Sequence, residues 1–351
     1  MKIIFFSLVL FFSQLACASD LVLAEQVKWK STFLAEERNL LIKLPDAYEA
    51  GKAIYPVIYL LHGQWDMLST LSTLDLMEDQ LPDFIVIGVE SKGMELKPDE
   101  GKATAFANYL TQEVVPYVNK HYDVAPLTIL SGHSNAGRFV LDLWLANPGQ
   151  FSQYYAFSPS LEDGYIVERL SKFPLESLQG KAPLTMTIAN EGEHMQTPFE
   201  TVTQYLSKQP KLSFFHRKFS EQSHRTTKHT SMQFALQSTF MGWTPSYEVQ
   251  TGGLEGLKKH YAELTTRFGF KVEIPTETLQ KLTAHYAISE QDDAAENLKR
   301  HIAFTIAQSS KGADALVEVA DYLSNNGYET SGGAVLKGVC NHAKKHERCK
   351  I

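Results

Sequence analysis

Cysteine is scarce in this chain: 351 residues contain only Cys17, Cys340 and Cys349. That excludes a disulfide-stapled scaffold and a multi-cysteine metal framework. Long apolar runs are lacking too. The most apolar stretch, residues 3–12, follows Lys2 and is too short to cross a bilayer. With Ala16-Cys17-Ala18 ahead of Ser19, it has the make-up of a cleaved export signal over residues 1–18. Acylation of Cys17 is the lipoprotein alternative, which Gln14 and Leu15 fit poorly. The third absence is an excess of positive charge. The formal charge of −7 becomes −8 once Lys2 leaves with the signal, so neither nucleic acid nor an anionic membrane is the expected partner. Stable membrane insertion after cleavage is not expected either.

In an exported protein, Cys340 and Cys349 read first as a disulfide. They cannot share one unbroken helix, because nine residues rise about 13 Å and bonded Cα atoms lie within about 7 Å. The chain must fold back between them. His342 and His346, one helical turn apart, also permit a Cys/His metal site, which the neighbouring Lys344, Lys345 and Arg348 disfavour.

The composition changes near Trp243-Thr244-Pro245. Before it, apolar runs alternate with helical patterns: residues 38–44, 56–61, 84–89, 127–130, 154–157 and 184–188 read as strands. Residues 103–122 read as an amphipathic helix with Phe106, Tyr109, Leu110, Val114 and Val118 on one face. Continuous apolar strands between helices predict a mostly parallel sheet covered on both faces, over residues 19–245. From residue 253 to 351 the pattern is helical. Ala284-His285-Tyr286 recurs as Ala320-Asp321-Tyr322, a spacing of 36 suited to a degenerate, TPR-like helix-turn-helix repeat. Two such units cannot bury their faces alone and should dock on the sheet domain.

The most informative stretch is Gly132-His133-Ser134-Asn135-Ala136-Gly137, set between a predicted strand and a helix. A serine on that sharp turn presents its hydroxyl outward, with a helix N-terminus beneath the charge that develops in acyl transfer. Ala136 stands where glycine is usual. A serine needs a base, and in this architecture the order is serine, acid, histidine. His224 lies in a loop beyond the apolar run 212–215 and ahead of a helical segment, a position better than those of His216 or His229. The acid should leave the strand ending at Ile188, where Asn190-Glu191-Gly192-Glu193 is the acidic segment. Glu193 is the first choice and Glu191 the second. Backbone N–H groups of Gln64, after Leu60-Leu61-His62-Gly63, and of Asn135 would form the oxyanion hole. Trp65 is placed to line the acyl or alcohol pocket.

These pieces bring the chain close to a known family. Residues 26–242 resemble the putative-esterase (esterase D-like) branch of the α/β-hydrolases, in particular its periplasmic IroE-like and enterochelin-esterase-like members. The resemblance is carried by residues 31–38, Leu44-Pro45, Tyr59-Leu60-Leu61-His62-Gly63 and Glu113-Val114-Val115-Pro116. The Gly132-His133-Ser134 turn, Phe157-Ser158-Pro159-Ser160-Leu161 and residues 219–224 complete it. Members with a helical, repeat-like extension are similar to residues 253–340. Two segments depart from the family. Glu90-Ser91-Lys92-Gly93 replaces a frequent Asn-x-x-Arg, and Glu162-Asp163-Gly164 stands where relatives often carry tryptophans. Both border the substrate pocket in such folds.

The expectation is a periplasmic or secreted α/β-hydrolase-fold serine esterase acting on a small ester, siderophore-type among the candidates, without metal or organic cofactor. An acyltransferase of the same fold and a non-catalytic binding protein are the alternatives. The C-terminal helices are a candidate surface for a protein partner.

Overall fold

The computed structural model describes residues 22–99 and 103–350. The expected export signal, with Cys17, lies outside the described residues.

Eight strands form one sheet: β1 (Glu25–Lys30), β2 (Glu37–Lys43), β3 (Tyr55–Leu61), β4 (Ile85–Val89), β5 (Val124–His133), β6 (Gln153–Phe157), β7 (Leu184–Ile188) and β8 (Phe214–Lys218). Their order across the sheet is β1-β2-β4-β3-β5-β6-β7-β8. β1–β2 and β2–β4 pair antiparallel and all later pairs are parallel. The central strands β3 and β4 are buried along nearly their whole length, as a two-sided sheet requires. The edge strands are polar. β1 (Glu-Gln-Val-Lys-Trp-Lys) is mostly exposed, and β8 ends in exposed His216, Arg217 and Lys218. Charge at a sheet edge discourages pairing with another chain. That polarity hides β1 from a search for apolar runs.

Alternate residues divide between two cores. Val57, Tyr59, Leu61, Ile85, Ile87, Leu130, Tyr154 and Ala156 face one side. There they meet the helical stretch of residues 105–121 and the helices Asn135–Ala146 and Glu193–Ser207. The predicted apolar stripe Phe106, Tyr109, Leu110, Val114 and Val118 is fully buried in that layer. The stretch widens into a π-helical segment over Tyr109–Val114, just before Pro116, which has no N–H to donate.

Ile58, Leu60, Val86, Ile129, Tyr155 and Phe157 face the other side. Their cover comes from Met67 on the helix Gly63–Asp75, from the helix Thr227–Thr239, and from C-terminal helices Leu254–Phe268 and Thr276–Ile288. The seam is aromatic: Phe240 stacks on Phe268 at 5.1 Å between ring centres, and Trp243 lies 5.6 Å from Phe268. The C-terminal region is thus part of the sheet's second layer.

Beyond that seam, helices Thr276–Ile288 and Ala294–Gln308 form one hairpin, and Gly312–Asn325 and Glu329–His342 a second. First helix packs on first helix and second on second, around Ile302, Leu316, Leu323, Val335 and Val339. The two sequence echoes fall in the first helix of each hairpin. Their tyrosines differ, since Tyr286 is buried and Tyr322 exposed. After His342 the chain turns back, and Cys340 and Cys349 are joined by a disulfide with Cα atoms 5.3 Å apart. The two thiols are thereby unavailable as metal ligands, and His346 pairs with Asp314 at 2.9 Å.

Candidate active site

The parallel strands deliver their functional residues at one edge. β3 ends in His62-Gly63-Gln64, β5 in Ser134, β6 in Ser158-Pro159-Ser160 and β7 in Asn190-Glu191, and His224 follows β8. Leu60 lies opposite Ser131 in the β3–β5 register, so the turn carrying Gln64 and the turn carrying Ser134 leave adjacent strands side by side.

Three non-glycine residues at this edge have left-handed φ: His62 at 55°, Ser134 at 61° and Ser158 at 35°. Such conformations cost about 1–3 kcal/mol each and persist only where their surroundings hold them. At Ser134 the holding contacts are visible. Its N–H donates to Phe157 O at 2.9 Å, and its carbonyl accepts from Arg138 at 3.0 Å and Ser160 at 3.1 Å. Gly132 is obligatory, because a Cβ there would sit 2.6 Å from the backbone of Ala136. Position 136 itself accommodates a methyl group, which is buried, so alanine in place of glycine leaves the turn intact.

Ser134 stands at the N-terminus of the helix Asn135–Ala146, and Gln64 is the second residue of the helix Gly63–Asp75. N–H groups at these positions have no partner within their helices and carry the positive end of the helix dipole. The Gln64 side chain is anchored by Ser91 of the segment Glu90-Ser91-Lys92-Gly93. Its Nε2 donates to Ser91 O at 2.7 Å, and its Oε1 accepts from Ser91 N at 3.3 Å. Ser91 Oγ in turn accepts from His62 N at 2.9 Å. Glu90-Ser91-Lys92-Gly93 therefore braces this turn. Trp65, next to Gln64, is 65 % exposed, its indole 4.9 Å from the His62 ring.

The segment Glu162-Asp163-Gly164 has a different task. Asp163 forms a 2.5 Å ion pair with Arg138, which is buried on the helix that follows Ser134. A buried guanidinium needs such a partner.

Between the two candidate acids the structure discriminates. His224 Nδ1 and Glu191 Oε1 are 2.8 Å apart, and the Glu191 side chain is only 9 % exposed. Glu193 is not brought to His224. It is the exposed first residue of the helix Glu193–Ser207, where a carboxylate complements the dipole. The helix begins too early for Glu193 to turn back, and the preceding bend aims Glu191 instead. A bond from Asn190 N to Gln222 O at 2.8 Å ties this bend to the histidine loop.

The rival histidines are placed elsewhere. His229 lies in the helix Thr227–Thr239 and bonds Thr73 Oγ1 at 2.8 Å, while His216 is on edge strand β8. Ser134 Oγ lies 3.3 Å from Ser160 Oγ, and no hydrogen bond joins it to His224 among the described residues. Such a bond often forms only once substrate is in place.

Ser160, Ser91, His133 and the Lys228–Asp66 ion pair, which fastens the helix after His224 to the helix that carries Gln64, were not singled out in the sequence as site residues. Ser160 in Ser158-Pro159-Ser160, Ser91 in Glu90-Ser91-Lys92-Gly93 and His133 before Ser134 each stood in a stretch the sequence had marked, whereas Asp66 and Lys228 did not.

Comparison with known proteins places the chain in a family. A family model described as Putative esterase matches residues 31–244. Over 95 residues the chain is 26 % identical to the ferri-bacillibactin esterase BesA of Bacillus subtilis (strain 168), a match covering 26 % of this chain and 33 % of that enzyme. An IroE-like serine hydrolase from Shewanella oneidensis superposes with a TM-score of 0.64 at 19 % identity, over 79 % of this chain and 98 % of the other. A protein from Capnocytophaga ochracea covers 91 % of this chain and 89 % of its own length, with a TM-score of 0.60 at 19 % identity. The last two likenesses establish the α/β-hydrolase fold. Among the described residues, no helix is long and apolar enough to cross a membrane.

Proposed function

The chain belongs to the Putative esterase family, and from that premise we propose that it is a serine carboxylic-ester hydrolase with Ser134 as nucleophile, His224 as base and Glu191 as the acid that orients it. The observation that carries this reading is the 2.8 Å Glu191–His224 pair on the same sheet edge as the strained Ser134 turn.

Ser134 Oγ attacks the ester carbonyl as His224 Nε2 takes its proton. Glu191 accepts the Nδ1–H, fixing the tautomer and stabilising the imidazolium. The tetrahedral oxyanion is held by the N–H groups of Gln64 and Asn135. Collapse of this intermediate breaks the C–O bond, and His224 returns the proton to the departing alcohol. Water, deprotonated by His224, then attacks the acyl-enzyme, the bond to Ser134 Oγ breaks as His224 returns the proton to that oxygen, and the carboxylic acid leaves.

The substrate class is a small ester of the siderophore type. Support comes from a relative that is a ferri-bacillibactin esterase and from the exposed indole of Trp65 next to Gln64, a surface suited to aromatic acyl groups. The site of action is the periplasm or the exterior. The Cys340–Cys349 disulfide supports this, since such bonds persist in oxidising compartments. Short-chain p-nitrophenyl esters test the reaction type: wild type should turn them over, and Ser134→Ala should lower kcat at least about a thousandfold with unchanged circular dichroism. Undiminished turnover in the alanine variant would remove Ser134 from the mechanism.

A further inference from the structure

The mechanism above requires that Ser134 and His224, 90 positions apart, keep one relative placement. Their turns leave different strands, β5 and β8, with β6 and β7 between them. Among the described residues, a single hydrogen bond joins the turn 132–135 directly to the loop 220–226. It runs from the ring of His133, the residue before the nucleophile, to the main chain of His224, with His133 Nε2 and His224 O 2.7 Å apart.

The geometry points to His133 as the positioning residue of the base: its Nε2–H donates to the His224 carbonyl and thereby registers the general base against the nucleophile. The inference rests on the proposed Ser134–His224–Glu191 machinery.

The chemistry of the contact leaves one arrangement. A carbonyl oxygen only accepts, so the proton must be on His133 Nε2. The ring is 6 % exposed, and burial together with the neighbouring His224 and Lys228 lowers its pKa to about 3. It is therefore neutral at working pH, with Nδ1 bare and a fixed tautomer. A neutral ring also adds no positive charge beside His224 as that residue becomes an imidazolium. The two imidazoles are in contact, their centres 4.4 Å apart and their planes inclined by 49°. The base is thus held at two points: Glu191 grips its Nδ1 and His133 its main-chain oxygen. Gln222 ties the loop to the bend of Glu191, so the His133 bond is what links it directly to the turn of Ser134, and displacements near 1 Å can cost about a hundredfold in rate.

The test compares His133→Phe, which keeps the ring surface but lacks the donor, with His133→Gln, whose Nε2 can reach the same carbonyl. Both are measured beside wild type and Ser134→Ala on one p-nitrophenyl ester, with near-UV circular dichroism reporting folding. His133→Leu replaces His133→Phe if the latter does not fold. The expected result is a kcat about 10- to 100-fold lower in the donor-less variant, with KM within about threefold, and recovery to within about fivefold of wild type in His133→Gln. The inference is overturned if the donor-less variant retains wild-type kcat, or if the glutamine variant is as impaired as it is. Failure of the underlying mechanism looks different, because Ser134→Ala would then stay active.

Discussion

At the residue scale, the assignments turn on distances of a few ångström. Glu191 and Glu193 lie two positions apart in one acidic segment, and spacing alone favours the wrong one for contact with His224. Which one faces the histidine depends on where the helix Glu193–Ser207 starts, and that boundary is poorly encoded by local composition. The placement of Ser134 and His224 at one sheet edge was legible because a glycine-flanked turn and a loop after the last strand are both local signals. His133 was not, because its partner is a backbone carbonyl supplied 91 positions later. The acids yield a sharp prediction. Glu191→Gln should lower kcat by about 10²–10⁴, as expected when the base loses the group that sets its tautomer, whereas Glu193→Gln should stay within about threefold of wild type. Steady-state kinetics on a single ester checks both, and the reverse ranking would transfer the role to Glu193.

At the element scale, the strand-turn-helix units are spaced by glycines that let backbones touch. A Cβ on Gly63 would lie 2.4 Å from the backbone of Gly88, so the helix that carries Gln64 meets β4 without room for a methyl group. Gly63→Ala must push that helix away and carry the Gln64 N–H with it. The expectation is a loss of both stability and kcat, read as a lower thermal midpoint and a fall in turnover of at least about tenfold. A variant with wild-type values for both would separate this contact from the oxyanion hole. Most strands were legible as apolar runs, whereas polar β1 was not, since its half-buried Val27 and Trp29 alternate with charged residues.

At the scale of the whole molecule, the helical region is a structural layer as well as an appendage. Ile58, Leu60 and Tyr155 share one core with Leu257, Phe268 and Leu282. Docking was expected because two repeats cannot bury their own faces. The identity of the covered surface was hidden, since it is dispersed over strands and helices far apart in the chain. Ending the chain at residue 245 should uncover this face, giving a product that aggregates and binds hydrophobic dyes. Size-exclusion chromatography checks it, and a soluble monomer with the wild-type thermal midpoint would contradict the shared core.

Acid sensitivity also belongs to the whole molecule. Burial lowers the pKa of His133 to about 3 and that of His301, deep in the helical region, to about 4. In the unfolded chain both titrate near 6.5. Between those values the unfolded state binds protons that the folded state refuses, so stability is full above about pH 6.5 and declines as the pH falls toward 4. Among the described residues, His301 has no hydrogen-bond partner for either ring nitrogen. His301→Leu should therefore raise the thermal midpoint at pH 5 and flatten its pH dependence, and an unchanged slope in thermal scans from pH 7 to 4.5 would rule this out.

The central claim is that Ser134 is an activated nucleophile set in a complete hydrolytic site. Its most direct test is incubation of the native protein with a fluorophosphonate, followed by intact mass and peptide mapping. The account predicts one adduct per chain, on Ser134, slowed strongly in Glu191→Gln. An unlabelled native protein, or a label on another residue, would contradict it.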